Sequence, residues 1–379
     1  MNEDKSTRFH RLRRRSAVLA AVWSVVLPAA LLVSGGAVAL RTAVQAHLLP
    51  AGVSPPLQAP IAAFAFAAAL ALAHAAGSLP FAWYTGFVLE RRYDLSRQSP
   101  GQWLRDHLKA LAIGLAFAGV AAAGTYAVIA ASARHWWFIV AAGTILVSIA
   151  VTWLAPVVLL PLFFRAAPLG DQGLRQRLHA LADRAGSPVT DVYEWRLSDR
   201  TSRANAALTG FGGTRRILLS DTMLAEYSAD EIEVVLAHEL SHHTRRDLWR
   251  ALALEAVVVT ASLWCAARLL PLALPALGIA GPVDPAGMPL LLLIVMAGSF
   301  AALPAANALS RAHERAADRF ALDLTRNPDA FVSAMRRLAA RNLSEEYPPA
   351  WAAIFFETHP PFTDRIAAAR RWAASPGRR

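Results

Sequence analysis

Two histidines and a glutamate stand together in His238-Glu239-Leu240-Ser241-His242. On a helix, residues four apart share one face, one turn apart, so both imidazoles can hold one tetrahedral ion. Glu239, beside the first histidine, can then take a proton from a water that the ion acidifies. Such a group supports metal-assisted hydrolysis. A catalytic zinc also wants a third protein ligand and an open position. The best source is Asn307-Ala-Leu-Ser-Arg311-Ala-His313-Glu314-Arg-Ala-Ala-Asp318. Glu314 and Asp318 are again one turn apart, so one can bind metal while the other orients a ligand imidazole. His313 is the rival ligand, but it points about 100° around the helix from Glu314. Asp318 shares Glu314's face, which favours Glu314. Arg311 lies close enough to support this group, although a plainer reading makes Glu314 an exposed acid paired with Arg311 or Arg315.

These residues need helices to hold them. Ser228 and Glu231 form a Ser-x-x-Glu capping box ahead of the motif, and Ile232, Val235, Leu236 and Leu240 give the helix an apolar face. Cap, helix and second acidic segment agree, which argues against incidental histidines on a surface helix. His243 faces away from the pair and is expected to be solvated. Leu174, Leu178 and Leu181 predict a helix over 171–185. Residues 189–195 and 216–220 read as short strands, with a turn at Gly210, Gly212 and Gly213.

The rest of the chain is apolar. Of 379 residues, 55% are hydrophobic and 17% charged, against about 25% charged in an ordinary soluble domain. This excludes a disordered chain, a collagen and a small disulfide scaffold. The lone Cys265 excludes an internal disulfide framework and a cysteine zinc ribbon. Apolar stretches at about 16–40, 60–89, 110–132, 136–164, 248–274 and 288–309 are each long enough to cross a bilayer core. The second carries Gly77 and Pro80 as interruptions. Pro156 and Pro161 could divide the fourth, which makes six spans or seven. The first run is too long for a cleavable signal peptide and is followed by another span. The net charge of +11 comes from clustered arginines. Arg8 to Arg15, Arg91 to Lys109, 165–247 and the tail after 310 are basic, whereas 41–59 and 275–287 are poor in positive charge. Six spans put every basic segment on one side, so the N-terminus, central polar region and C-terminus are expected to be cytoplasmic. The basic excess then signals loop placement, not nucleic-acid binding. The expected layout is a membrane region over 1–164, a polar segment with the motif over 165–247, two spans over 248–309 and a polar segment over 310–379. Glu255 and His74, ionisable groups within spans, are expected to line a water-filled interior.

Several segments resemble the type 1 CAAX prenyl proteases, a family of integral-membrane zinc metallopeptidases. They are Pro80-Phe-Ala-Trp-Tyr-Thr-Gly-Phe-Val-Leu-Glu90-Arg-Arg-Tyr-Asp, Ser96-Arg-Gln-Ser-Pro-Gly-Gln-Trp-Leu-Arg-Asp106 and Ala155-Pro-Val-Val-Leu-Leu-Pro-Leu-Phe, together with the two metal segments and Thr358-His359-Pro360-Pro361-Phe-Thr-Asp-Arg365-Ile. The resemblance implies a mainly helical membrane fold enclosing a chamber, closed by a small α+β gluzincin-like zinc domain. It implies one Zn²⁺ held by His238, His242 and Glu314, with Glu239 as general base and acid. Asn205-Ala206 is similar to an edge strand along which a substrate peptide aligns. His359 would hydrogen-bond the tetrahedral oxyanion, and Arg365 would hold a ligand carboxylate or the substrate. Three positions depart from the family pattern: Ala207 for an aromatic residue, Ser241 for glycine and His243 for tryptophan.

The function expected is that of a membrane-embedded zinc metalloendopeptidase acting on a peptide or protein substrate, prenylated or membrane-associated, at the bilayer. A heat-shock-type membrane zinc protease for quality control is the alternative. A protease with the motif inside a span fits less well, because Thr244-Arg245-Arg246-Asp247 ends the motif helix at a surface. A transporter with dead motifs is the reading from another class, and bound-metal content separates it.

Overall fold

The computed structural model describes residues 4–48, 54–154, 158, 162, 164–210 and 215–375. Six of its helices are long and apolar enough to cross a membrane. The first is α1 (Lys5–Val33), begun by Asp4, whose carboxylate accepts from Ser6. The apolar run expected over 16–40 is broken at Gly35, which is left-handed with φ +76° and starts a separate short helix, α2 (Gly36–His47). Glycine takes this conformation without a Cβ clash, so the chain can turn there.

Helix α3 (Pro55–Trp83) runs straight through the two residues expected to interrupt it, then widens into a π-helical turn, Tyr84–Leu89. Gly77 is a packing notch: a Cβ there would stand 2.2 Å from the Trp23 ring of α1. Pro80 removes one backbone donor. The wider turn and the Thr85 hydroxyl, which donates to the Phe81 carbonyl at 2.7 Å, keep the following backbone satisfied. Helices α4 (Pro100–Ala131) and α5 (Trp136–Leu154) complete this region. Pro156, Pro161, Gly212 and Gly213 lie outside the described residues, and with them the division of the fourth apolar stretch.

The polar centre holds a four-stranded sheet of order β1-β2-β4-β3, made of β1 (Ala166–Pro168), β2 (Asp191–Trp195), β3 (Ala206–Thr209) and β4 (Arg216–Ser220). Strands β2 and β4 are parallel, the other pairs antiparallel, and β3 is an edge. Helix α6 (Gln172–Arg184) is capped by Asp171, which accepts from the Leu174 amide at 3.0 Å. After the short α7 (Asp221–Glu226) comes the motif helix α8 (Ala229–Thr244), then α9 (Asp247–Ala273), which returns to the apolar layer.

Helix α10 (Met288–Thr325) is the last long helix, 38 residues without a break. It joins the final apolar stretch to the Glu314 segment as one rigid rod. Helices α11 (Pro328–Arg341), α12 (Ala350–Phe355) and α13 (Phe362–Ala374) follow. Leu178, Ile217, Leu240, Leu322, Phe331 and Trp372 belong to one buried cluster, so both polar pieces of the chain build a single core. A second cluster, with Phe66, Tyr126, Trp136, Leu263 and Leu270, joins the apolar helices. Their outer faces expose Val22, Phe117, Val120, Leu146, Val257 and Phe300, as surfaces in contact with lipid would.

Candidate metal centre

Helix α8 begins with the capping box in both directions: Ser228 N–H donates to Glu231 at 2.7 Å, and Glu231 N–H donates to Ser228 Oγ at 3.3 Å. Its register then turns His238 and His242 toward α10. His238 Nε2 lies 3.3 Å from His242 Nε2 and 3.2 Å from Glu314 Oε2, and His242 Nε2 lies 3.4 Å from Glu314 Oε1. Ligand atoms of these three residues all fall within 4.8 Å of one another. Glu314 is buried and its Oε2 has no hydrogen-bond partner. Two imidazole nitrogens and a desolvated carboxylate facing each other this closely need positive charge between them. Donor types, spacing and the orphaned oxygen fit a metal ion such as zinc.

Each imidazole is held from behind by a carboxylate. Asp318 Oδ1 is 3.0 Å from His238 Nδ1, as the shared helix face predicts. Asp247 Oδ2 is 3.1 Å from His242 Nδ1, a contact the sequence analysis missed. Asp247 follows Arg246, whose left-handed backbone (φ 57°) folds the start of α9 back beneath α8. Its only local signal is an acid just past the second histidine. His313 Nε2 lies 3.6 Å from Asp247 Oδ1, outside the group that Glu314 forms with the two motif histidines.

Arg365 is buried, with Nε 2.8 Å from Asp318 Oδ2 and Nη2 2.5 Å from Oδ1. The carboxylate it holds in this geometry is that of Asp318. His359 Nε2 is 3.3 Å from Glu314 Oε1 on an exposed side chain. Among the described residues, Arg311 makes no hydrogen bond or ion pair with a member of the centre. Its Nη1 donates to the carbonyls of Ala353 and Glu357, each at 2.7 Å, and so anchors the segment that presents His359. Glu239 is beside the pair, and burial pushes its carboxyl up against the pull of both imidazoles. Burial opposes protonation of His238, but the adjacent Asp318 and Glu314 carboxylates favour the charged ring, outweigh it and raise its pKa to about 9.

Asn205 directly precedes β3, which starts at Ala206. Ser220 N–H donates to the Asn205 carbonyl at 2.9 Å, so strand alternation turns the backbone polar groups of Ala206 and Leu208 outward. His243, expected to be solvated, instead approaches this edge: its Nε2 lies 3.4 Å from the Leu208 carbonyl oxygen. On the other face of the sheet, small Ala207 packs with Trp195, Leu218 and Phe164. His74 lines a mainly apolar cavity of about 590 Å³ between the spanning helices. Glu255 does not line that cavity; its Oε1 accepts from Ser148 of α5 at 2.6 Å.

Long apolar helices around an HExxH-and-glutamate centre define a membrane-embedded metallopeptidase. Residues 168–373 match the model of peptidase family M48, and residues 2–165 match that of the CAAX prenyl protease N-terminal region with five membrane helices. An uncharacterized metalloprotease of Bacillus subtilis, YhfN, is 31% identical over 79% of this chain and 71% of its own. A CAAX prenyl protease 1 homolog of Taenia solium is 28% identical over 77% and 68% of the two chains. CAAX prenyl protease 1 of Saccharomyces cerevisiae is 32% identical over 43% and 36%. The crystal structure of S. mikatae Ste24p shares the fold, with a TM-score of 0.86 at 21% identity, covering 96% of this chain and 88% of that one. The chain belongs to peptidase family M48, and it is a multi-pass membrane metalloendopeptidase of the CAAX prenyl protease 1 type.

Proposed function

We propose that the protein hydrolyses peptide bonds at one zinc ion held by His238, His242 and Glu314. The observation that carries this reading is the convergence of those ligand atoms within 4.8 Å. A bound zinc supplies Lewis acidity, which polarises a scissile carbonyl and lowers the pKa of water. Glu239 takes the proton of the attacking water and returns it to the leaving amine. Its raised pKa suits both directions of that transfer. His359 donates to the oxyanion that forms on the carbonyl. Asp318 and Asp247 fix the imidazole tautomers, and Arg365 acts through Asp318 as a positioning residue. An extended substrate pairs with the outward backbone groups at Ala206, next to Asn205.

The zinc domain, formed by 165–247 and 310–379, is proposed to face the cytoplasm with both termini, because six spans put it on the same side as the arginine-rich N-terminus and the 91–109 segment, and basic segments favour that side. The substrate is proposed to be a peptide or protein at the membrane. Relatives carry CAAX prenyl protease names, so a prenylated C-a-a-X peptide is the first one to try. The match at residues 2–165 favours this over a heat-shock type of membrane protease. The test is cleavage of a prenylated and an unprenylated C-a-a-X peptide by purified protein, read by mass spectrometry. Cleavage of the prenylated form alone supports lipid recognition. Equal cleavage of both shifts the function toward general membrane proteolysis. No zinc-dependent cleavage of either overturns the reading.

A further inference from the structure

Behind the carboxylates of the metal centre, a cavity of about 620 Å³ opens between the last turns of α10 and helix α13. Its charged lining is Arg315, Arg319, Arg365 and Arg371 against Asp318 and Asp364. Arg365 and Asp318 neutralise each other through their two hydrogen bonds. The remaining guanidiniums, on exposed Arg315, Arg319 and Arg371, share the cavity with a single acid, Asp364. Among the described residues, none of the three is engaged in an ion pair or a side-chain hydrogen bond. Some other arginines of the polar domain are matched, Arg177 with Asp230 and Glu233, Arg337 with Glu231 and Arg341 with Glu226.

Arg315 and Arg319 are one turn apart, where like charges oppose the helix. Arg371 adds a third from the facing element. A bridging anion removes that repulsion, and the donor fork of guanidinium suits phosphoryl oxygens. The depth is also telling. Helix α10 leaves its apolar stretch near residue 309, so Arg315 and Arg319 lie ~9 and ~15 Å further along its axis. Long side chains at that distance reach the headgroup layer of a bilayer.

We propose that this cavity is an anion site that binds a phosphoryl group through Arg315, Arg319 and Arg371. The group can come from a lipid headgroup or from free phosphate. The test is calorimetric titration of the zinc-loaded, detergent-solubilised full chain with three probes: inorganic phosphate, dihexanoyl phosphatidylglycerol and dihexanoyl phosphatidylcholine. One saturable site is expected for at least one anionic probe. Arg319→Gln and Arg371→Gln should each weaken it about tenfold, the loss of one charge-assisted hydrogen bond. Both side chains are exposed and unpaired, so the variants should fold. Arg92→Gln, an exposed arginine elsewhere, removes the same net charge and should bind normally. Tighter binding of phosphatidylglycerol than phosphate assigns the site to a lipid headgroup, and the reverse order assigns it to a soluble phosphate. Absence of saturable binding, or equal weakening by Arg92→Gln, overturns the proposal.

Discussion

Replacing Glu239 with Gln keeps the shape of the side chain and removes its ability to carry a proton. Zinc content should stay at one per chain while kcat falls by about 10²–10⁴, measured by metal analysis beside a peptide-cleavage assay. Loss of zinc in this variant would place Glu239 among the ligands instead. Asp247→Asn tests the support that sequence reading missed. It should lower zinc affinity by about 10–100-fold, measured by chelator competition, without preventing folding. The raised pKa of His238 gives a pH dependence with a definite sign. In the metal-free protein His238 holds a proton at neutral pH, and that proton must leave before metal binds. Zinc affinity should therefore rise with pH and flatten above about 9. Measuring affinity between pH 6 and 10 checks this, and a flat profile contradicts it.

At the scale of elements, α3 and α1 pack closely where Gly77 meets Trp23, with the Trp23 indole N–H donating to the His74 carbonyl at 3.1 Å. Gly77→Val should destabilise the protein by roughly 1–3 kcal/mol through overpacking. Combining it with Trp23→Ala should recover part of that loss, read as the thermal midpoint in detergent. Full additivity of the two changes would mean that the contact is not where the strain arises. The rod-like α10 explains how a membrane span and a metal site are coupled: residues above and below the lipid boundary belong to one helix, so Glu314 inherits its position from the packed apolar segment.

Across the whole molecule, the first helix is fastened to the C-terminal segment. Arg14 makes two hydrogen bonds to Glu345, at 2.5 and 3.1 Å, with both side chains buried. His10 Nε2 lies 3.0 Å from the Leu343 carbonyl oxygen. Arg14→Ala leaves the Glu345 carboxylate buried and unpaired, which should cost about 3–5 kcal/mol. Because residues 342–358 lead into His359, activity should decay on mild heating well before that of the wild type, in a thermal-inactivation assay. Unchanged inactivation would show that the pair does not fasten the two ends.

Much of this was legible in local patterns. The capping box, the one-turn spacing of His238 and His242, and the shared face of Glu314 and Asp318 depend only on helix geometry. The apolar runs that make the spans depend only on composition and length. The breaks did not follow so simply. Gly35 turns the chain where hydropathy runs on, while Gly77 and Pro80 leave a helix standing because a neighbouring ring and a widened turn accommodate them. Asp247, the Arg311 anchor and the Arg14–Glu345 pair were invisible because each joins elements whose relative placement is set by packing. A charge far along the chain has no periodicity to announce its partner. Local spacing therefore determined which chemistry the chain can carry, and tertiary packing decided which side chains hold that chemistry in place.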